Sequence, residues 1–436
     1  MITSIIGRKF LKAYNERFKT NYSPKGFFIE VYYPLFFNSN KYMQWVQNSP
    51  FVQMKKGQKV ELLTEKERKE KLDELILKID KGYEDASVAI GFPASEEKEY
   101  ATTSGQLSNM QITHSKDDIY LSWIGSSLGI GLQGGISILF DNKQILLDLY
   151  EGWIIYRKIL NSNNNLKGNQ INTWNGQWLS HKYDKMFIKE NPMANFNPFS
   201  PNNPPNINTQ SWTKVLIGIS EKFNNPQMIG YVYNFGQTNT TIGFIPFALD
   251  QIRRPIELYK KLFGMDSGHR AELLWGTRFG LSEGCKKGVI GLNTLEPKGL
   301  RIYIDNPNTK NEKVKIPKSP NNDEQQIVFN IYQTWIMAML NNEQLWAKAQ
   351  EFAKELQTYA LNSERGKKVN SNKINAVLEA TNKSNFIKSL AEIAYDTENK
   401  DEIESVAAIV NMMPSDNVPY FLTLIRFHYA ITNNIK

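Results

Sequence analysis

The chain has 436 residues, of which 41% are hydrophobic and 12% are aromatic. This composition supplies enough apolar surface for a sizeable core and excludes a chain disordered throughout. The length favours two or three domains. The formal net charge is +8. A surplus of this size is compatible with nucleic acid, an anionic surface or an acidic partner, and it does not select among them.

Cysteine usage and hydropathy bear on the compartment. Cys285 is the only cysteine, so no disulfide can form within the chain, which favours a reducing cytoplasm. Residues 1–10 contain only a short apolar run and lack the small-residue cleavage site of a secretory signal. No stretch approaches the roughly 18 apolar residues of a membrane-spanning helix. We therefore expect a cytoplasmic protein with no membrane partner.

Residues 1–85 predict an N-terminal helical and aromatic segment. Aromatic side chains are densely spaced from residue 27 to residue 45. They predict a core beneath helices, and the alternative is an exposed platform on which nucleic-acid bases stack. Residues 55–81 repeat leucine and isoleucine at helical spacing among charged residues, which predicts an amphipathic helix.

Residues 86–320 predict a mixed α+β basic domain around an antiparallel or mixed sheet. Glycines between residues 125 and 135 predict a bend where the main chain closely approaches a neighbour or a ligand. The proline-rich residues 191–210 predict a long loop. Helices are predicted at 144–160 and 250–263. Strands are predicted at 119–124, 136–140, 212–219, 227–235, 240–247, 289–292 and 300–304.

Residues 321–436 are helical in pattern almost to the end of the chain. Apolar residues recur at helical spacing from Ile327 onwards, with polar breaks and the prolines Pro414 and Pro419 between the periodic stretches. Four or five helices with short connections are typical of a helical bundle. The predicted fold class is α+β, with a mixed N-terminal domain followed by this C-terminal bundle.

Few residues match a catalytic pattern. The four histidines lie far apart and match no metal-binding spacing. Asp85, Glu96 and Lys98 have the residue types of a metal-dependent nuclease. Lysines that follow Cys285 would lower its pKa if they lay close to the thiol, and an incidental free thiol is the alternative. We expect no catalytic residue, no cofactor and no metal ion.

Basic residues outnumber acidic residues between positions 253 and 318, and Arg253, Arg254, Lys286 and Lys287 are the leading candidates for contacts with phosphate. Cations clustered among small residues suit phosphate because they neutralise its charge and let the main chain approach. An ordinary solvated surface is the alternative.

A second set of candidates carries amide and indole groups. Amides hydrogen-bond to base edges, and indoles stack on bases or wedge between them. For residues 172–178 the alternative is a turn packed on the core, and residues 233–241 predict a hairpin with a polar tip. The candidate base readers are Asn172, Trp174, Asn175, Gln177, Gln237 and Asn239.

A mixed basic portion followed by a helical bundle resembles, in the order and size of its parts, the large subunit of type I CRISPR Cascade surveillance complexes. The resemblance implies a non-catalytic protein that recognises a short duplex motif and holds the displaced DNA strand, while guide pairing reads most of the sequence. It implies DNA and other subunits of the complex as partners, and it leaves guide RNA open as a further partner. Lys286 and Lys287 would contact phosphate, while residues 172–178, the glycine bend and the hairpin tip compete as motif readers.

Two other functions stay open on the residues themselves. One is a metal-dependent nuclease that uses Asp85, Glu96 and Lys98. The other is a scaffold whose basic surface binds an acidic protein.

Overall fold

The computed structural model describes residues 1–92, 114–201, 205–234, 240–305, 314–361, 367–397 and 400–432. The chain forms two compact units, one of Met1–Lys222 with Met228–Pro246 and the other of Phe223–Gln227 with Phe247–Lys436. Helices and one small sheet confirm the α+β class with a helical C-terminal region. No helix in the described part of the chain combines the length and the apolar composition needed to span a bilayer.

The first unit combines helices with the strands of the sheet. A π-helical turn, Phe28–Tyr32, joins the second helix to the third. In chain order the elements are α1 (Ile2–Phe18), α2 (Pro24–Phe27), α3 (Tyr33–Phe36), α4 (Glu65–Asp80), α5 (Lys116–Ser126), β1 (Ile130–Leu132), β2 (Ile136–Phe140), α6 (Lys143–Ser162), α7 (Ile171–Lys182), α8 (Trp212–Lys222), β3 (Gln227–Asn234) and β4 (Thr240–Ala248).

The four strands follow the order β1-β2-β3-β4, so each strand pairs with its neighbour in the sequence. β2 pairs antiparallel with β1 and with β3, and Ser137 lies opposite Tyr233. Both β1 and β2 are buried along their whole length. The strands predicted at 136–140, 227–235 and 240–247 are confirmed within the described residues.

The crowded aromatic residues near the N-terminus form a core. Phe27, Phe28, Tyr32, Phe36 and Phe37 have no exposed surface. The rings of Tyr32 and Phe36 stack with centroids 4.2 Å apart. The prediction of a core is therefore confirmed, and these five rings cannot stack on bases.

Helices α1 and α5 pack with their main chains in contact. A Cβ atom on Gly7 would lie 2.1 Å from the carbonyl oxygen of Leu121, and one on Gly125 would lie 1.8 Å from the carbonyl oxygen of Thr3. Only glycine permits this approach. Residues 1–85 consequently share a unit with the elements that follow them, and the observed unit boundaries differ from the predicted segments 1–85, 86–320 and 321–436.

Two predicted strands are helices. Residues 119–124 lie in α5 and residues 212–219 lie in α8. Every residue from Ile119 to Ser126 is buried, so the apolar run lacks the polar side that would have shown helical spacing. The strand prediction at 119–124 was wrong because a helix buried on all sides reads like a buried strand.

The second unit is almost entirely helical. A 3-10 turn covers Leu292–Leu295. The helices are α9 (Leu249–Phe263), α10 (Met265–Leu274), α11 (Leu281–Cys285), α12 (Arg301–Ile304), α13 (Asp323–Leu340), α14 (Gln344–Leu361), α15 (Lys367–Glu379), α16 (Lys383–Ala394), α17 (Lys400–Met412) and α18 (Val418–Thr432).

This unit confirms the predicted helix at 250–263 and the helical C-terminal region, and α6 confirms the helix at 144–160. The strands predicted at 289–292 and 300–304 are wrong. Ile290 forms an isolated bridge with Phe247, and residues 301–304 form α12. Ile290, Leu300 and Ile304 are buried without a ladder of paired strands.

Candidate nucleic-acid interface

Trp174 lies inside helix α7, where the sequence left open a base contact or a turn packed on the core. Its side chain is fully buried, its Nε1 donates a hydrogen bond to the carbonyl oxygen of Gly152 at 2.9 Å, and its ring stacks on Tyr156 at 4.8 Å. No part of this indole is open to a base. Packing explains its presence completely.

Asn172 and Asn175 tie α7 to the end of α5. The Nδ2 atoms of Asn172 and Asn175 donate to the carbonyl oxygen of Gly129 at 3.0 and 2.9 Å, and Asn175 also donates to Ser127 at 2.8 Å. The last carbonyl groups of a helix have no partner within it, so side-chain donors of this kind stabilise its end. These amides are part of the fold, and Asn175 is fully buried.

The glycine bend is the surface on which α7 rests. A Cβ atom on Gly131 would lie 2.8 Å from the carbonyl carbon of Asn172, and one on Gly176 would lie 2.3 Å from the carbonyl oxygen of Gly131. The predicted close approach is confirmed, and the neighbour is a helix of the same unit.

The remaining amide candidates fall in different places. Gln177 is half-buried, and its Nε2 donates to the carbonyl oxygen of Asn208 at 2.8 Å. Gln237 and Asn239 lie outside the described residues. Of the amide candidates that the structure describes, Asn172 and Asn175 meet at the carbonyl oxygen of Gly129, whereas Gln177 bonds to Asn208.

Much of the positive charge between residues 253 and 301 is paired with carboxylates. Lys286, a predicted phosphate contact, is 2.6 Å from Glu283. Lys287 lies over the ring of Phe279 at 5.5 Å. The ion pairs in this segment include Arg253–Glu257, Lys260–Glu272, Lys261–Glu343, Arg278–Glu296, Lys286–Glu283, Arg301–Glu296 and Arg301–Asp305.

Other cations of the segment have no carboxylate within ion-pair distance among the described residues. Arg254 is half-buried on α9. Lys298, Lys315 and Lys318 are exposed. Lys287 is likewise exposed and has no carboxylate within ion-pair distance among the described residues, so the unpaired lysines are Lys287 and those towards the end of the basic segment.

Of the residues proposed for the nuclease, only Asp85 lies in the described part of the chain. Asp85 Oδ1 accepts hydrogen bonds from the main-chain N–H and the hydroxyl of Ser87, as in a turn, while Glu96 and Lys98 lie outside the described residues. Within the described ranges, no three His, Cys, Asp or Glu side chains are grouped to hold a metal ion. Burial raises the pKa of Cys285 to about 11, which favours the incidental free thiol over a thiol activated by nearby lysines.

A pocket of about 550 Å³ opens in the second unit beside α12, α13 and α18. Its aromatic lining consists of Tyr303, Phe329, Tyr332 and Phe427, and we call it the aromatic pocket. The ring of Phe427 is the centre of this cluster. Its centroid lies 4.5, 5.3 and 5.8 Å from those of Phe329, Tyr303 and Tyr332, each pair arranged edge to face.

Local hydrogen bonds fix the polar side of the aromatic pocket. Asn322 begins α13 by accepting the main-chain N–H of Gln325 on its Oδ1 at 2.9 Å. The main-chain N–H of Lys315 donates to Ile302 at 3.0 Å, and the hydroxyl of Ser319 donates to Ala430 at 2.9 Å. The loop that carries the lysines is thus attached to α12 at one end and to α18 at the other.

Hydrogen bonds to the surrounding fold fix two tyrosines of the aromatic pocket. The guanidinium of Arg426, which is fully buried, donates to the carbonyl oxygen of Tyr303 at 2.8 Å. The hydroxyl of Tyr332 donates to the carbonyl oxygen of Lys298 at 2.8 Å. Burial raises the pKa of Tyr332 to about 12, so this hydroxyl remains a donor at neutral pH.

Polar groups surround the rings with both signs of charge. Lys315, Lys318 and Glu324 line the pocket. Gln325 Oε1 accepts the main-chain N–H of Asn321 at 3.0 Å, which leaves its Nε2 available to a ligand. The arrangement offers rings for stacking, ammonium groups for phosphate and an amide donor for a base edge.

The aromatic pocket was not predicted from the sequence because its parts are distant in the chain. Tyr303 fell within a predicted strand, and Phe427 follows it by more than one hundred residues. The one local signal was the pair of lysines at 315 and 318 directly before an asparagine helix cap.

Comparison of the chain with protein-family models, curated proteins and solved structures found no match in any of the three. The aromatic pocket and the unpaired lysines beside it are the features of the described residues on which a functional proposal can rest.

Proposed function

We propose that this protein is a non-catalytic, cytoplasmic DNA-binding subunit of a prokaryotic antiviral defence complex of the CRISPR Cascade type. It recognises a short duplex motif and holds the displaced DNA strand. The observation that supports this best is the aromatic pocket with the unpaired Lys315 and Lys318 on its lining.

A displaced strand offers the two groups that suit this surface. Its phosphates attract cations, and its unpaired bases have open faces that stack on aromatic rings. A duplex conceals those faces in its own stack. The combination of lysines and aromatic rings in one pocket therefore favours single-stranded DNA as the ligand held here.

The proposed phosphate contacts differ from those expected from the sequence. Lys286 already has a carboxylate partner, so a phosphate must compete with Glu283 for it. Lys287 has no carboxylate partner among the described residues but lies over the ring of Phe279. Lys298, Lys315 and Lys318 have neither kind of partner in the described part of the chain. We therefore assign the main phosphate contacts to these three lysines.

Salt dependence of binding tests the proposal. For single strands, log K falls with log salt by roughly 0.7 for each phosphate contact, because each contact releases condensed counterions. The double variant Lys315→Ala/Lys318→Ala should lower affinity for a fluorescent oligonucleotide of about 20 nucleotides and reduce the slope by roughly 1.4. Fluorescence anisotropy at several salt concentrations measures both.

A matched control removes the same charge elsewhere in the second unit. Lys388 and Lys400 are exposed on α16 and α17, and the double variant Lys388→Ala/Lys400→Ala should leave the slope unchanged. Equal slopes for all three proteins, or no binding of DNA by the wild type, would overturn the proposal.

Two further assays on the same protein test the two rival functions. Mg²⁺-dependent DNA cleavage that is lost in Glu96→Ala would establish the nuclease. Binding of polyglutamate with the affinity and salt slope found for DNA would favour the scaffold for an acidic partner.

A further inference from the structure

We propose that the aromatic pocket accepts one unpaired nucleotide, with its base against Tyr303 and Tyr332 and its phosphate beside Lys315 and Lys318. The nucleotide chemistry follows from the pocket itself. Its assignment to a base of the displaced strand rests on the proposed function.

The size of the pocket suits a single nucleotide. Small-ligand sites are typically ~300–1,000 Å³, and this pocket has about 550 Å³. A base pair would bring the second strand of the duplex with it, and a pocket of this size has no room for two strands. The volume therefore points to one unpaired unit.

Burial separates the rings that can touch a base from those that support them. Phe427 has no exposed surface and Phe329 is 7% exposed, whereas Tyr303 and Tyr332 are half-buried. A half-buried ring keeps part of its surface open to a ligand. Tyr303 and Tyr332 are thus the stacking residues, and Phe427 is a positioning residue beneath them.

The contribution of Tyr332 comes from its ring. Its hydroxyl is occupied with the carbonyl oxygen of Lys298 at 2.8 Å, and burial keeps it protonated by raising its pKa. The hydroxyl is therefore engaged with the fold rather than with the ligand. Tyr332→Phe should retain nucleotide binding.

Charge orients the nucleotide in the pocket. Glu324 repels phosphate, whereas Lys315 and Lys318 attract it. The phosphate consequently lies on the side of the lysine loop, and the base lies over the rings near the start of α13. There the Nε2 of Gln325 can donate to a base edge.

Single-stranded binding by Tyr303→Leu tests the inference. Leucine keeps an apolar side chain at this position but removes the π surface, so affinity for a single-stranded oligonucleotide should fall about tenfold. The salt slope should not change, because stacking releases no counterions. Tyr303→Phe should bind like the wild type.

The matched control is Tyr395→Leu. Tyr395 is 87% exposed at the end of α16 and does not line the pocket, so its replacement should leave affinity unchanged. An equal loss in Tyr303→Leu and Tyr395→Leu would overturn the inference, as would unchanged affinity in Tyr303→Leu.

If Tyr303→Leu does not fold, a measurement on the unmodified protein still tests the inference. Circular dichroism identifies that failure, and oligonucleotides with 2-aminopurine at successive positions then report stacking by fluorescence. A quench at one position in the complex supports insertion of a base, and identical fluorescence at every position overturns it.

Deoxyadenosine monophosphate separates the two sources of a nucleotide. Weak competition by this mononucleotide, together with strong strand binding that depends on Tyr303, identifies the strand as the source. Tight mononucleotide binding that depends on Tyr303, with no strand binding, supports the pocket and overturns the proposed function. Normal strand binding without dependence on Tyr303 overturns the inference alone.

Discussion

Arg426 is fully buried, yet no carboxylate of the described chain pairs with its guanidinium. It donates instead to the carbonyl oxygens of Leu378, Ala380 and Tyr303 and to the hydroxyl of Thr423. Buried main-chain carbonyl groups without partners are costly, and one arginine satisfies several of them. This cation stabilises the fold and cannot reach a polyanion.

Arg157 acts in the same way in the first unit. It is 7% exposed and donates to the carbonyl oxygens of Leu35 at 2.6 Å and Lys41 at 2.9 Å. Such residues contribute to the formal net charge but not to a binding surface. Counting charges in the sequence therefore overstates the positive charge that a ligand meets.

His428 makes the stability of the second unit sensitive to acid. Its ring is 5% exposed and lies edge-on to Trp346, with centroids 4.5 Å apart. Burial lowers the pKa of His428 to about 4, and the charge of Lys354 adds to the effect. In the unfolded state the same histidine has a pKa of about 6.5. Between about pH 6.5 and pH 4 the unfolded state therefore binds a proton that the folded state does not, and the free energy of unfolding falls as the pH falls through this range.

We expect the free energy of unfolding to fall by about 2 kcal/mol between pH 7 and pH 5 through this residue alone. In His428→Gln the difference between the two pH values should shrink by that amount. Urea denaturation of both proteins at both pH values measures the effect, and identical pH dependence in the two proteins would contradict the assignment.

Among the elements, α7 and β1 are joined by a contact that admits no side chain. Helix propensity alone predicts that Gly176→Ala stabilises α7 by about 1 kcal/mol. A Cβ atom at position 176 would lie 2.3 Å from the carbonyl oxygen of Gly131. This oxygen belongs to the main chain of β1, which cannot shift as a flexible side chain could. We expect Gly176→Ala to destabilise the protein by about 2–3 kcal/mol.

Thermal or urea unfolding checks this sign reversal. Gly276 is exposed, and a Cβ atom added to it would have no other atom within 4 Å, so Gly276→Ala should change stability by less than about 0.5 kcal/mol. Stabilisation by Gly176→Ala would show that α7 and β1 are further apart.

Elements with one buried side were predictable from the sequence. Helices α6 and α9 were predicted because their apolar residues recur at helical spacing beside polar ones. Helices α5 and α8 were read as strands because nearly every residue in the predicted stretches is apolar or buried. Hydrophobic pattern identifies a surface helix and does not separate a buried helix from a buried strand.

The site was less predictable than the fold. The residue types of Trp174 and Asn175 suit a base contact and a buried helix equally well, and only their burial decides between these roles. The aromatic pocket joins Tyr303 of α12 to Phe427 of α18, and no local pattern in the sequence brings these residues together. Tertiary packing alone creates that site.

Across the whole molecule, the distribution of charge matters more than its sum. Many cations of the basic segment pair with carboxylates, while Lys298, Lys315 and Lys318 do not pair among the described residues. These ion pairs reduce the charge available to a ligand, and an exposed pair such as Lys286–Glu283 contributes little stability. The positive charge behind the net value of +8 is therefore available to a ligand mainly on surfaces where carboxylates are sparse.

Photocrosslinking tests the central claim most directly. Single-stranded DNA carrying 5-iodouracil would be irradiated in complex with the unmodified protein, and the crosslinked peptides would be identified by mass spectrometry. We predict crosslinks to the peptides that contain Tyr303 or Tyr332, because these half-buried rings line the aromatic pocket. Crosslinks confined to the first unit, with none at either tyrosine, would contradict the account.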